Sequence, residues 1–158
     1  MNKEQTERTI KTHFGEIAID KGELVRITNG ILGYEEYKEY IIVEKEEFRP
    51  FKWMIATENP SLMFVVIEPL LFFPDYAPNI SKTDLKNLQI DDTQHSKIYS
   101  IVTLANVADE ITVNLSGPIC INTSTYVGKQ IALTGDTYST KHNLFKNETK
   151  LFKEDISC

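Results

Sequence analysis

Strand-like segments follow one another along this chain at roughly ten-residue spacing, with one short helical segment among them, and that rhythm constrains the fold most. Parallel pairing throughout would need long crossover connections, usually helical, and the sequence leaves no room for them. The expectation is a mainly β protein, an antiparallel β-sandwich or partly closed barrel with one short helix. Alternating or apolar segments place the strands at Thr12–Ile19, Leu24–Thr28, Tyr40–Val43, Pro50–Ala56, Leu62–Ile67, Lys97–Leu104, Ile111–Leu115, Ile119–Ile121 and Tyr126–Leu133. In the first of these Gly15 reads as a bulge, and Asn29-Gly30 reads as a tight turn. Trp53 and Phe64 are expected in the core. Ser81–Leu88 is the helix, with Ser81 as its cap and Asp84 near the positive end of its dipole.

A chain of 158 residues is one domain of ordinary size. Residues 1–138 read as a single β domain with a frayed start, and 139–158 as a C-terminal extension. Leu144 and Leu151, like Phe145 and Phe152, are seven apart, so the extension is either an amphipathic helix or an irregular tail.

The net charge is −6 with both signs abundant, which disfavours direct nucleic-acid binding and suits a basic protein partner. Apolar runs fall short of the roughly 18 residues of a membrane span, and the N-terminus carries no apolar signal region. Cys120 and Cys158 make no disulfide framework, so the expected location is cytoplasmic.

His13, His95 and His142 are scattered and no Cys-x-x-Cys spacing exists, so no metal is expected. Gly128-Lys129 leads into Gln130 and Thr123 stands where a phosphate loop needs glycine. Ser116 follows Asn114 at the position where a nucleophile elbow needs glycine. The expectation is no cofactor, no catalytic residues and no enzymatic activity.

The binding chemistry is expected around the apolar stretch Leu62–Tyr76. Its first six residues fit a strand covered on both faces, and Pro69, Pro74 and Pro78 then hold the chain out of regular pairing. One reading makes the rest an edge segment of the core. The other makes Phe72, Phe73 and Tyr76 aromatic anchors of a partner surface, with Glu68 and Asp75 as charge contacts. Tyr34 and Glu35, which open an acidic run ending at Glu47, join the candidates.

Several segments recur in the order seen in one family. They are Phe14-Gly15-Glu16-Ile17, Asn29-Gly30-Ile31-Leu32-Gly33-Tyr34-Glu35, Pro50-Phe51-Lys52-Trp53-Met54, Phe64-Val65-Val66-Ile67 and Leu71-Phe72-Phe73-Pro74-Asp75-Tyr76, followed by Ile101-Val102-Thr103-Leu104, Thr112-Val113-Asn114-Leu115 and Gly128-Lys129-Gln130. Over about residues 12–133 the chain resembles the bacterial flagellar assembly factor FliW family. Leu32 and Tyr34 stand where that family often has Pro and Phe, and Ile27-Thr28 replaces a Phe-Pro pair. The resemblance implies a small β protein without catalytic activity. It also implies binding to the basic translational repressor CsrA, relief of its repression of flagellin mRNA, and binding to flagellin. The alternative is a β-barrel that holds a small ligand among its aromatic residues.

Overall fold

Tyr40, Ile42, Met54, Ala56, Phe64 and Val66 are alternate residues of three consecutive strands, and all pack into one interior. Their neighbours Ile41, Val43, Trp53, Ile55 and Met63 belong to a second cluster on the other face. This is the period of two that a pleated strand imposes.

The computed structural model describes residues 8–19, 23–91 and 95–145. Their strands are β1 (Thr9–Thr12), β2 (Gly15–Ala18), β3 (Glu23–Thr28), β4 (Glu39–Glu44), β5 (Lys52–Ala56), β6 (Met63–Ile67), β7 (Ser96–Thr103), β8 (Thr112–Val113), β9 (Ile119–Asn122), β10 (Val127–Gln130) and β11 (His142–Asn143), with helix α1 (Lys82–Asn87) between β6 and β7. The order β7-β6-β5-β4-β3-β10-β9 closes on itself because β9 also pairs with β7. The result is a closed seven-stranded barrel, with β8 and β11 appended to the second half of β7.

Every pair in the barrel is antiparallel except β3 with β10, which run parallel from Val127 opposite Arg26 to Lys129 opposite Thr28. An odd number of strands cannot alternate direction all the way round a closed barrel, so one parallel pair is unavoidable. It falls where the hairpin β9–β10 returns to meet β3.

The interior is filled by side chains, Tyr40, Tyr99, Met54 and Ile119 among them. Three outer covers bury the rest. The β1–β2 hairpin lays Ile10, Phe14 and Ile17 over Ile41 and Ile55, and the Phe14 ring meets Trp53 at 4.9 Å between centroids. Helix α1 sets Leu85 and Leu88 against Cys120 and Ile131. The connection after β6 and the chain around β11 cover Ile67, Val102 and Val113. The run Leu62–Ile67 can be apolar throughout because both of its faces are covered.

Three expectations change. Thr12–Ile19 is not one bulged strand, because the chain reverses at His13-Phe14 into a hairpin. Thr12 Oγ1 accepts from the Phe14 N–H at 3.0 Å and donates to the Gly15 carbonyl at 2.8 Å. Thr9 lies in that hairpin rather than in a frayed end, and Arg8 beside it pairs with Glu39 at 2.8 Å. The extension is not helical where described. His142 and Asn143 pair with Val113 and Thr112, the Leu144 N–H donates to Ile111, and Leu144 is buried. Those backbone groups are spent on β8 and are not free for a helix. The β domain therefore runs past 138, and the remainder of the extension, 146–158, lies outside the described residues.

Trp53 and Phe64 sit at the margins of their clusters, each half-buried, and Trp53 Nε1 has no hydrogen-bond partner among the described residues. Ser81 caps α1 as expected, its Oγ accepting from the Asp84 N–H at 3.0 Å. In so short a helix that bond matters. Ser81→Ala should cost about 1 kcal/mol by loss of the cap, read as a lowered denaturant midpoint.

Candidate functional site

The connection after β6 starts with a single tight helical turn at Pro69–Leu71. Proline suits the first position of such a turn, because its missing N–H would find no partner there. Leu71 donates to the Glu68 carbonyl and Phe72 to that of Pro69. The turn divides the apolar residues. Phe72 and Phe73 are half-buried against the appended strands, while Leu70 is 49% and Leu71 67% exposed.

Phe72 meets the rings of Phe51, Phe73 and Phe145 at 6.5, 6.5 and 6.0 Å, and Phe73 meets His142 at 4.9 Å. These are edge-on or tilted contacts that fix the segment in place. Tyr76 departs from the reading that made it an aromatic anchor and follows the core reading instead. It is only 5% exposed, its ring packs on Tyr138 at 4.7 Å, and its hydroxyl donates to the Leu115 carbonyl at 2.7 Å. Burial pushes its phenol far above the ordinary range. It is a core residue and not an anchor for a partner. Asp75 is exposed beside it.

Glu68 lies at the end of β6 with its side chain 34% exposed, 3.4 Å from Lys52 Nζ. The Lys52 ammonium is also 3.4 Å from the Tyr99 hydroxyl and sits over the Tyr99 ring. Glu68, Leu70 and Leu71 line a groove of about 620 Å³ together with Ile80, Leu85, Lys97, Ile98 and Cys120. Burial raises the Cys120 thiol to about 11, so at neutral pH it is an inert apolar group.

Tyr34 and Glu35 belong to a different place. Residues 31–34 form a turn closed by the Tyr34 N–H on the Ile31 carbonyl, with Gly33 at φ 92° where a side chain would be strained. Tyr34 is 45% exposed and its ring meets Phe64 at 5.4 Å. Phe64 is four residues before Glu68, so Tyr34 and Glu68 sit about 13 Å apart along the strand direction. The Gly33 N–H and the backbone N–H of Glu35 itself hold the Glu35 carboxyl below its usual range. Glu35 lines a separate, more polar cavity of about 300 Å³ with Asn114, Lys129 and Gln130. Its polar groups are engaged internally: Lys129 pairs with Asp84 at 2.8 Å, and Gln130 Oε1 accepts from the Leu32 N–H. Among the described residues no three His, Cys, Asp or Glu gather as metal ligands, and no helix is long and apolar enough to cross a membrane.

Two surfaces thus emerge from the expected set. Glu68, Phe72, Phe73 and Asp75 share the connection after β6, and Tyr34 with Glu35 share the turn at the other end of that strand. Leu70 and Leu71 are the exposed apolar residues of the connection after β6 that the sequence reading passed over, and Leu32, 79% exposed, is the one it passed over beside Tyr34. For Leu70 and Leu71, Pro69 at the head of a three-residue turn was the available signal, since such a turn sends neighbouring side chains to different sides.

The model of the FliW protein family matches residues 8–144. The chain belongs to the FliW family. A flagellar assembly factor FliW from Alkaliphilus metalliredigens is 39% identical over 140 residues, 88% of this chain and 86% of the relative. The FliW of Geobacter sulfurreducens is 36% identical over 134 residues, 85% of this chain and 84% of its own. A crystal structure of the flagellar assembly factor FliW superposes with a TM-score of 0.80 at 38% identity, covering 87% of this chain and 96% of that one. The FliW match ends at Leu144, one residue past the last described strand, and it leaves out the last fourteen residues, 145–158.

Proposed function

We propose that this FliW-family chain is a non-enzymatic cytoplasmic regulator of flagellar assembly that acts by binding proteins. Its partners are a CsrA-type translational repressor, whose hold on flagellin mRNA it relieves, and flagellin, which competes for it. Family membership carries this reading. The surface chemistry agrees with it: an acidic chain of net charge −6 suits a basic RNA-binding partner and adds negative potential beside that partner's RNA. RNA release can then be a coupling of free energies without any need to fill the RNA groove.

The partner surface is placed on the connection after β6, with Leu70 and Leu71 as apolar contacts and Glu68 and Asp75 as charged rim. Phe72 and Phe73 support it from below. A protein partner is preferred to a small ligand because the barrel interior is filled with side chains.

Leu71→Glu tests the placement. Leu71 is exposed, so its replacement should change stability by less than about 0.5 kcal/mol. As a contact residue its loss should weaken binding about tenfold or more. The tagged parent chain should recover a small RNA-binding repressor or flagellin from the native cytosol, and the variant should recover much less. Recovery of neither partner by the parent chain would contradict the function; equal recovery by both chains would move the surface to the Tyr34–Glu35 turn.

A further inference from the structure

The β1–β2 hairpin forms a sheet of its own, and the barrel closes without it through the pairing of β9 with β7. Among the described residues no backbone hydrogen bond joins the hairpin to the barrel. A two-stranded hairpin by itself is marginally stable in water, so side-chain contacts must hold this one in place. Those contacts are Ile10, Phe14 and Ile17 in one cluster with Ile41, Val43, Trp53 and Ile55, and the ion pair from Arg8 to Glu39. Lys45 adds its ammonium over the Phe14 ring at 5.6 Å.

Three features weaken this attachment. Trp53 Nε1 is buried in the cluster that the hairpin completes and has no partner among the described residues. A buried N–H without a partner gains a bond to water as soon as it is uncovered. Lys11, Thr12 and His13 of the hairpin share the lining of a cavity of about 300 Å³ with Pro60, Ser61 and Met63, so packing is incomplete along that margin. The Arg8 side chain is 53% exposed, and an ion pair so open to solvent holds little.

We propose that the β1–β2 hairpin is a lid, which opens as one unit while the barrel stays closed and uncovers an apolar face. Ile41 pairs with Ile55, and Val43 with Trp53, across β4 and β5, so the uncovered side chains form one continuous patch. An open patch of that kind is a protein-contact face, and the closed lid withholds it. The lid is separate from the surface assigned to the connection after β6, and neither depends on the other.

Hydrogen exchange of the full chain reads the opening. The Ile19 N–H donates to the Arg8 carbonyl within the hairpin and the Ile27 N–H to the Lys38 carbonyl within the barrel, both at 2.7 Å. Ile19 should exchange at least ~100-fold faster than Ile27, and denaturant should barely speed it, since a small unit exposes little surface on opening. Thiol modification in a Cys158→Ser background tests whether the patch is uncovered, because the remaining native thiol, Cys120, is buried and raised to about 11. Ile55 belongs to the cluster under the hairpin, and its neighbour Met54 to the barrel interior. An aromatic disulfide reagent should therefore modify Ile55→Cys at least ~10-fold faster than Met54→Cys. Equal exchange at Ile19 and Ile27, with equal denaturant dependence, would overturn the proposal, because the hairpin would then open only with the barrel. Fast exchange at Ile19 with both cysteine variants equally slow would overturn it too, since the strands would be fraying in place over a covered patch. Failure to recover any partner from cytosol would leave these rates unchanged and would count only against the partner reading.

Discussion

Tyr76→Ala should remove about 3–5 kcal/mol of stability, the range for deleting a large buried aromatic side chain. Two effects add. The ring leaves the cluster of Ile67, Val113 and Leu115 and its contact with Tyr138, and the Leu115 carbonyl loses the hydroxyl that donates to it at 2.7 Å. Tyr76→Phe isolates the second. It keeps the ring and should cost about 1–3 kcal/mol, the penalty for a buried polar group left without a partner. Urea unfolding of the three proteins reads both numbers. A Tyr76→Ala midpoint shift worth less than about 1 kcal/mol would show that Tyr76 is peripheral. Any loss of partner binding in that variant should track unfolding, and should vanish where the variant is fully folded.

Gly30→Ala should cost about 3 kcal/mol or more, and no side-chain rearrangement can relieve it. Gly30 adopts φ 69°, in the left-handed region, where a side chain costs roughly 1–2 kcal/mol. A Cβ there would also lie 2.8 Å from Glu35 Cα, 2.9 Å from the Glu35 carbonyl oxygen and 3.0 Å from that of Tyr37. All three are backbone atoms, so the loop itself must move, and overpacking of this kind adds about 1–3 kcal/mol. Because that loop carries Tyr34 and Glu35, the variant should also shift their amide resonances while those of Leu70 and Leu71 stay in place. A variant as stable as the parent would contradict the close approach.

What the sequence revealed and concealed follows from which interactions are local. Strands β3 to β7 were legible because alternation or an apolar run is set by which faces are covered, and Ser81 was legible because a cap acts three residues away on Asp84. Tyr76 was misread because the bond that commits it to the core reaches Leu115, 39 residues on. The prolines around it suggested a segment held away from the core, yet they only keep its backbone out of the sheet. The hairpin at His13-Phe14 was hidden since Thr12 to Ile19 alternates straight through the reversal. At the C-terminus the seven-residue spacings left a helix and an irregular tail both open, and pairing with β8 decides the conformation of His142 and Asn143. As for the site, Glu68 and Asp75 were named with Phe72 and Phe73 from their neighbourhood alone. Leu70 and Leu71 escaped because exposure of an apolar residue depends on the direction of a single turn. The family was readable from an ordered set of short segments, none of them specific by itself.

The most direct test of the account is to follow a CsrA-type repressor on fluorescent flagellin leader RNA while the full chain is added. At saturation the apparent RNA affinity should fall about tenfold or more to a plateau, as a coupling between separate sites requires. By the same linkage, RNA should weaken binding of the chain to the repressor by an equal factor, and added flagellin should restore the RNA complex. Unchanged RNA affinity with the chain bound to the repressor, or no binding to the repressor at all, would contradict it.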